Sequence, residues 1–228
     1  MDNLPEFLFQ STFWLSVLQI IAIDILLGGD NAVVVALACR KLPESQRNKG
    51  IAWGVVGAIV LRILLISFAL QLFALPFVKI IGALLLLWIG VKLLNADDEE
   101  PEVDGVSHLL GAIKTIIVAD AVMSVDNVIA VAGAAKGNLW LVVFGIVVSI
   151  PIIVFGSKLV LKLMERFPVV ITLGAALLGW IAGDMLVDDV ALASTLKGMP
   201  PFLHYVTAAM GAGVVVFVGK HMARRLAV

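Results

Sequence analysis

The sequence predicts an all-α membrane protein of seven transmembrane helices, an inverted 3+3 repeat plus one extra C-terminal helix, with the N-terminus outside and the C-terminus inside. Three observations predict it: long apolar stretches recur along the chain, basic residues fall on alternate connections, and an Asp-Asn motif occurs twice. Of 228 residues, 61% are hydrophobic and 14% charged, against about 45–50% and about 25% in soluble domains. A water-soluble fold of this size has too little interior for that much apolar surface. Soluble classes, nucleic-acid binders among them, are excluded, and the lipid bilayer becomes the first expected partner.

The apolar stretches cover residues 12–39, 51–75, 77–94, 109–135, 139–161, 169–187 and 206–218, the last being short. A spanning helix needs about 20 apolar residues. Backbone groups in lipid must be satisfied internally, which leaves helices or a closed barrel. The runs are continuous rather than alternating, so they read as helices. The acidic start, Met1-Asp2-Asn3-Leu4-Pro5-Glu6, lacks the basic region of a signal peptide, and the first helix is expected to be retained. The single cysteine, Cys39, excludes an internal disulfide and reads as a small apolar residue.

Basic residues mark the cytoplasmic side of a membrane. With seven crossings, Arg40, Lys41, Arg47, Lys49, Lys92, Lys114, Lys158, Lys162, Arg166, Lys220, Arg224 and Arg225 share one face, and Lys79, Lys136 and Lys197 the other. Removing any helix scrambles that separation, so it supports even the short seventh span.

The first and fourth helices are copies. Ile23-Asp24 followed by Gly29-Asp30-Asn31 matches Ala119-Asp120 followed by Val125-Asp126-Asn127, at an offset of 96 residues. Later in each copy, Gly82 to Trp88-Ile89 matches Gly174 to Trp180-Ile181. The chain therefore reads as a single transmembrane domain, 1–228, with repeat one at 12–95, an acidic cytoplasmic linker at 96–107, repeat two at 108–188 and the extra helix at 203–222. Three spans per repeat is an odd number, so the copies enter the membrane from opposite sides. Secondary transporters share this plan and place their sites at mid-membrane between the repeats.

Four acids, Asp24, Asp30, Asp120 and Asp126, fall inside the first and fourth helices. Each costs at least ~2.5–3.5 kcal/mol at the bilayer centre, so they call for positive charge. Arg62, midway along the second helix, can offset one of them; a divalent cation offsets two more. With Asn31 and Asn127 the candidate ligands are all oxygen, which suits Mg²⁺, Ca²⁺ or Mn²⁺. His108, His204 and His221 fall near helix ends, so a zinc-type site is poorly supported. Residues six apart on a straight helix point about 120° from each other and sit ~9 Å apart along the axis. Gly28-Gly29 is therefore expected to unwind the first helix, whereas Ser124-Val125 makes a break in the fourth less assured. Inversion places Asp24 level with Asp126 and Asn127, and Asp30 and Asn31 level with Asp120. The plainer reading is that these polar groups only join helices by hydrogen bonds.

Further along, Asp184 in the sixth helix is a candidate for an outer ion path, and Lys92 reads as an interfacial lysine. Asp188 and Asp189 read as a solvated loop. Pro151 should kink the fifth helix. Ser67, Gln71 and Ser149 line a pore or merely pack. Gly54 and Gly57, and Gly211 and Gly213, read as sites of close helix packing.

At Leu27-Gly28-Gly29-Asp30-Asn31-Ala32-Val33 and Ser124-Val125-Asp126-Asn127-Val128-Ile129-Ala130 the chain resembles the TerC family, at the length of its compact YjbE-like members. The resemblance covers nearly the whole chain. It implies manganese efflux across the bacterial inner (plasma) membrane and membership of the LysE-type exporter superfamily. By position, Asp24, Asp30, Asn31, Asp120, Asp126 and Asn127 match the family's metal-site motif. Gly28, Gly29, Arg62, Ser124 and Asp184 form a second tier for the ion path or charge balance.

The expectation is a divalent cation transporter rather than an enzyme, with Mn²⁺ (or Ca²⁺, Mg²⁺ or Fe²⁺) as cargo, no permanently bound cofactor, and room for a homo-oligomer. Carboxylates that alternate between ion-bound and empty states suit exchange with protons. A membrane-protein assembly factor is the alternative, though it would not need four buried acids. An intramembrane aspartyl protease is weaker still: Gly28-Gly29-Asp30 and Gly183-Asp184 only echo its motif, and the sole tyrosine, Tyr205, supplies no Tyr-Asp partner.

Overall fold

The computed structural model describes residues 11–68, 75–95, 105–134, 139–193, 195–196, 200 and 202–226. Side chains are described over the same stretches except at 11–13, 16, 20, 23–28, 67, 105–107, 126–134, 139–140, 193 and 224–226. The helices are α1 (Ser11–Cys39), α2 (Glu44–Ser67), α3 (Val78–Asn95), α4 (Gly105–Ala134), α5 (Leu139–Arg166), α6 (Val169–Val187) and α7 (Phe202–Leu226), with one further helical turn at Val190–Ala193. No strand occurs among the described residues.

The chain is an integral membrane protein. Six helices, α2 to α7, are long and apolar enough to cross a membrane. The expected short seventh span is a full one: α7 is helical for 25 residues. Its glycines and terminal polar residues dilute its apolar run but leave the helix intact. By this measure α1 is not yet a seventh span, because its described apolar stretch, Gly29–Cys39, is too short. The large apolar side chains exposed along these helices, Phe155 and Phe217 most of all, are what a lipid-facing surface presents.

One expectation fails outright. The helix of α1 runs unbroken through Gly28 and Gly29. Glycine inside a helix costs about 1 kcal/mol relative to alanine, whereas unwinding in lipid would strip several backbone hydrogen bonds at once. Nothing lies within 4 Å of where a Gly29 side chain would start, so no neighbour forces a break.

The helices pack in two groups. α1 lies along α5, from Trp14 against Phe144 to Ala32 against Gly156, so the two run parallel. α2 lies along α4, with Gly54 on Ile116 and Gly57 on Ile117, again parallel. α1 also meets α4, and α2 meets α5. α6 is antiparallel to both α3 and α7. Lipid supplies no hydrophobic drive between helices, so close approach over small residues does this work. A methyl group on Gly183 would sit 2.1 Å from the Thr207 carbonyl oxygen, and one on Gly179 would sit 2.4 Å from that of Gly211. Gly211 is thus a packing glycine as expected; Gly213 is not, since it faces open space.

Both ends of the bundle are tied by charge. At one end Arg47 donates to the carbonyls of Arg40 and Leu42 and pairs with Glu165 at the end of α5, while Arg40 donates to the Leu93 carbonyl near the end of α3. At the other end Asp189, read above as solvated, is 1% exposed. It accepts backbone N–H bonds from Phe77 (2.9 Å), Lys79 (3.0 Å), Ile80 (3.2 Å) and Ala191 (2.8 Å). One carboxylate therefore caps α3 and starts the turn 190–193. It also holds Phe77 at φ 69°, a left-handed conformation that few bulky residues adopt. Burial by itself would raise the Asp189 carboxyl; the four amides outweigh it and hold the group below the usual carboxylate range.

Two predictions follow from this packing. Gly183→Val should prevent α7 from seating on α6, at a cost of about 1–3 kcal/mol or more, read as a lowered thermal midpoint of detergent-purified protein. Asp189→Ala should cost about 1–3 kcal/mol. Because the folded carboxyl lies below its unfolded value of about 3.9, that stabilisation is complete above about pH 5 and fades as pH falls through the folded value. Unfolding curves of the two proteins should therefore converge in acid; a constant gap down to pH 3 would refute the capping role.

Candidate functional site

The site is assembled where α1, α2, α4 and α5 meet. Asp120 and Ser124 are one turn apart on α4 and share a face. From α2, Arg62 reaches both. Its Nη2 lies 2.5 Å from Asp120 Oδ1, and its Nε donates to Ser124 Oγ at 2.9 Å. Ser124 Oγ in turn donates to Asp120 Oδ2 at 3.2 Å, closing a three-residue ring. Arg62 is 3% exposed, Asp120 7% and Ser124 0%. A lone charge at this depth would be costly; paired and hydrogen-bonded, each is tolerated.

Beside the ring lies a cavity of about 20 Å³, lined by Arg62, Asp120, Asn31 and the apolar walls Val34, Val35, Val55, Ala58, Ile59, Ile116 and Ile153. That is room for about one water molecule or one dehydrated ion. Asn31, 4% exposed, brings its amide to this cavity with neither Nδ2 nor Oδ1 bonded to protein. Next to it, Asp30 Oδ1 is also buried without a protein partner. Asp30 lies within electrostatic reach of Arg62 and Asp120. Buried polar atoms left unpaired cost about 1–3 kcal/mol each, so their presence in a native site calls for an explanation.

Asn31 and Asp120 thus share one cavity, with Asp30 adjacent. Asp24, Asp126 and Asn127 are on the helices α1 and α4, but their side chains lie outside the described residues, as does that of Ser67; Gln71 lies outside them altogether. Asp184 is not at this cavity. It is half exposed and bonds His204 Nδ1 at 2.9 Å, beside Asp188, which pairs with Lys79 at 3.6 Å. Ser149 bonds its own helix at the Ile146 carbonyl, 2.8 Å away. Among the described residues no three His, Cys, Asp or Glu side chains converge on one point.

Sequence reasoning missed two partnerships. It placed Ser124 in the second tier for ion path or charge balance, and as a weak point in α4, but not as the acceptor for Arg62. His204 seemed too near a helix end to matter, and nothing in the sequence links it to Asp184 on a different helix. Chemically, the cavity offers one carboxylate, one amide and one guanidinium, with the Asp30 carboxylate adjacent. The donors are hard oxygens suited to Mg²⁺, Ca²⁺ or Mn²⁺, and the formal charge is negative by one, counting Asp30, Asp120 and Arg62.

Comparison with known proteins agrees with this membrane architecture. The profile described as "Integral membrane protein TerC family" matches residues 9–227. The membrane protein YjbE of Bacillus subtilis (strain 168) is 44% identical over 180 residues, covering 79% of this chain and 83% of its own. YceF of the same organism is 28% identical, covering 79% of this chain and 74% of its own. The inner membrane protein YgdQ of Escherichia coli (strain K12) is 27% identical, covering 77% and 81%. No solved structure matches.

The ring makes a prediction about stability. Asp120→Leu alone takes a carboxylate partner from a buried guanidinium and should cost about 3–5 kcal/mol. Adding Arg62→Met should recover most of that loss. A double-mutant cycle by thermal unfolding checks it, and additive losses would mean the pair is not coupled.

Proposed function

The chain belongs to the TerC family of integral membrane proteins, and from that premise we propose that it is a carrier, not an enzyme, for a divalent metal cation. Manganese is the first-choice cargo, moved out of the cytoplasm across the inner membrane. The observation that carries this reading is Asn31. A buried amide with both polar atoms unbonded by protein, next to such an oxygen of Asp30 and sharing a cavity with Asp120, is a hard-oxygen set suited to a cation. The net negative charge of Asp30, Asp120 and Arg62 favours a cation there over a neutral water. Under this reading Asp24, Asp126 and Asn127 complete the ligand set from the same two helices.

The helix packing supports the inverted repeat. Exchanging the halves turns α1 on α5 into α4 on α2, and both pairs are parallel. The matched glycines behave alike, Gly82 receiving Val122 of α4 and Gly174 receiving Val33 of α1. From Trp14 to Ala32, α1 follows α5 for roughly the thickness of a bilayer core, since each helical residue rises about 1.5 Å. That is the basis for counting α1 as a seventh span. The helix directions put the basic ends of α1, α3, α5 and α7 at one end of the bundle, and the rule that basic residues face the cytoplasm supports taking that end as inside.

The test is Mn²⁺ flux into or out of proteoliposomes, with wild type beside Asp30→Asn and Asp126→Asn. Flux in wild type and at least tenfold less in both variants is expected; competition by Ca²⁺, Mg²⁺ and Fe²⁺ then ranks the cargo, and its dependence on a pH gradient tests proton exchange. Absent flux in folded wild type would favour the assembly-factor reading, and undiminished flux in the variants would move the site elsewhere.

A further inference from the structure

Arg62 occupies the position of a cation. Its Nη2 lies 2.5 Å from Asp120 Oδ1, and it is 3% exposed. In the same cavity the neutral amide of Asn31, and next to it in the chain Oδ1 of Asp30, have no protein partner. So the Asp120 carboxylate on α4 is engaged, while the Asn31 amide and one oxygen of Asp30 on α1 have no protein partner. A metal ion taking all of these oxygens at about 2.0–2.6 Å would sit within a few ångströms of the guanidinium. Two positive charges that close, in a low-dielectric pocket, repel strongly. The ion and Arg62 therefore compete for Asp120.

The geometry gives the guanidinium a way to withdraw. One of its other anchors, Ser124 Oγ, is a neutral hydroxyl, which holds a guanidinium less firmly than a carboxylate does. Side chains on a helix lean towards its N-terminus. One turn back in that direction on α2 stands Ala58, the smallest of the side chains lining the cavity. The arginine stem is long and flexible.

We propose that Arg62 is a tethered counter-cation that competes with the transported divalent ion for Asp120. It pairs with Asp120 in the ion-free carrier, yields when the ion binds among Asp30, Asn31 and Asp120, and returns to drive the ion off. It thereby keeps affinity low enough for release and keeps Asp120 from standing unpaired when the carrier is empty. A monovalent cation, with half the charge, displaces it poorly, which makes Arg62 a determinant of selectivity for divalent ions. This rests on the carrier reading above.

The experiment is Mn²⁺ binding to the full chain in detergent, by equilibrium dialysis, together with Mn²⁺ flux in proteoliposomes. Arg62→Gln should bind Mn²⁺ roughly tenfold or more tightly, because the repulsive neighbour is gone. Its KM should fall, and its flux at saturating Mn²⁺ should fall too, since release slows. Arg62→Lys, which restores the charge, should move both values back towards wild type. Should Arg62→Gln fail to fold, Ser124→Ala, which removes the Nε anchor and loosens the guanidinium, should tighten binding in the same direction by a smaller factor. Unchanged or weaker binding in the folded variant, with wild type binding Mn²⁺, overturns the competition and leaves the carrier intact. No Mn²⁺ binding by wild type or either variant overturns the carrier reading and this proposal with it.

Discussion

A guanidinium and a carboxylate 2.5 Å apart in the middle of an apolar bundle set the terms for the helices around them. Neither charge would be stable there alone. Keeping them together requires α2 and α4 to lie parallel, close, and in one register. The glycines do this: Gly54 and Gly57 let Ile116 and Ile117 of α4 come up against the backbone of α2. One and a half turns further on, Arg62 arrives opposite Asp120, and Ser124 Oγ accepts from its Nε. The polar ring and the small-residue packing are therefore a single device, since either would fail without the other.

The same logic explains why the ends of the bundle are polar. α3, α6 and α7 hold together through glycine-backbone contacts and a small apolar cluster of Leu94, Ala175 and Val215. Contacts of this kind fix distance more firmly than they fix sliding along the axis. Asp189 supplies what they lack. By capping α3 from the segment that follows α6, it pins the height of one helix against the other and holds Phe77 in a conformation it would not choose. Arg40 and Arg47 do the equivalent at the opposite end.

Much of this was legible in the sequence. Apolar runs are long because lipid demands it, so α2 to α6 could be read directly. Asp30, Asn31, Arg62 and Asp120 stood out because charge in such runs is costly, and three of the four line one cavity with the fourth beside it. What could not be read depends on partners far apart in sequence. Asp189 looks like any loop acid until the amides of 77, 79 and 80 are seen around it. His204 and Asp184 are 20 residues apart, on different helices. Gly211 and Gly213 are alike on paper, yet only one faces a neighbour. The Gly28-Gly29 break was expected from local propensity, and the demand for backbone hydrogen bonding within a membrane overrode it.

The arrangement of ties bears on how such a molecule could move. If residues 12–95 and 108–188 are the two moving halves, Arg62–Asp120, Arg47–Glu165 and Lys79–Asp188 join one half to the other, and Asp189, next after the second half, joins it to the start of α3, whereas Arg40 and the Leu93 carbonyl lie within one half and Asp184–His204 ties the second half to α7. Arg62–Asp120 lies at mid-depth, Arg47–Glu165 and Asp189 with the start of α3 at the ends. The end ties differ in kind. Arg47–Glu165 is partly exposed and adds little stability, whereas Asp189 is buried and bonded four times. A rocking motion would break the first far more readily than the second. The end of the bundle nearer Arg47 is therefore the easier one to open, and under the orientation argued from the basic residues that end faces the cytoplasm, where an exporter must take up its cargo. Under the carrier reading the tie in the middle must loosen in either direction, and the group best placed to loosen it is an ion that competes for the same carboxylate.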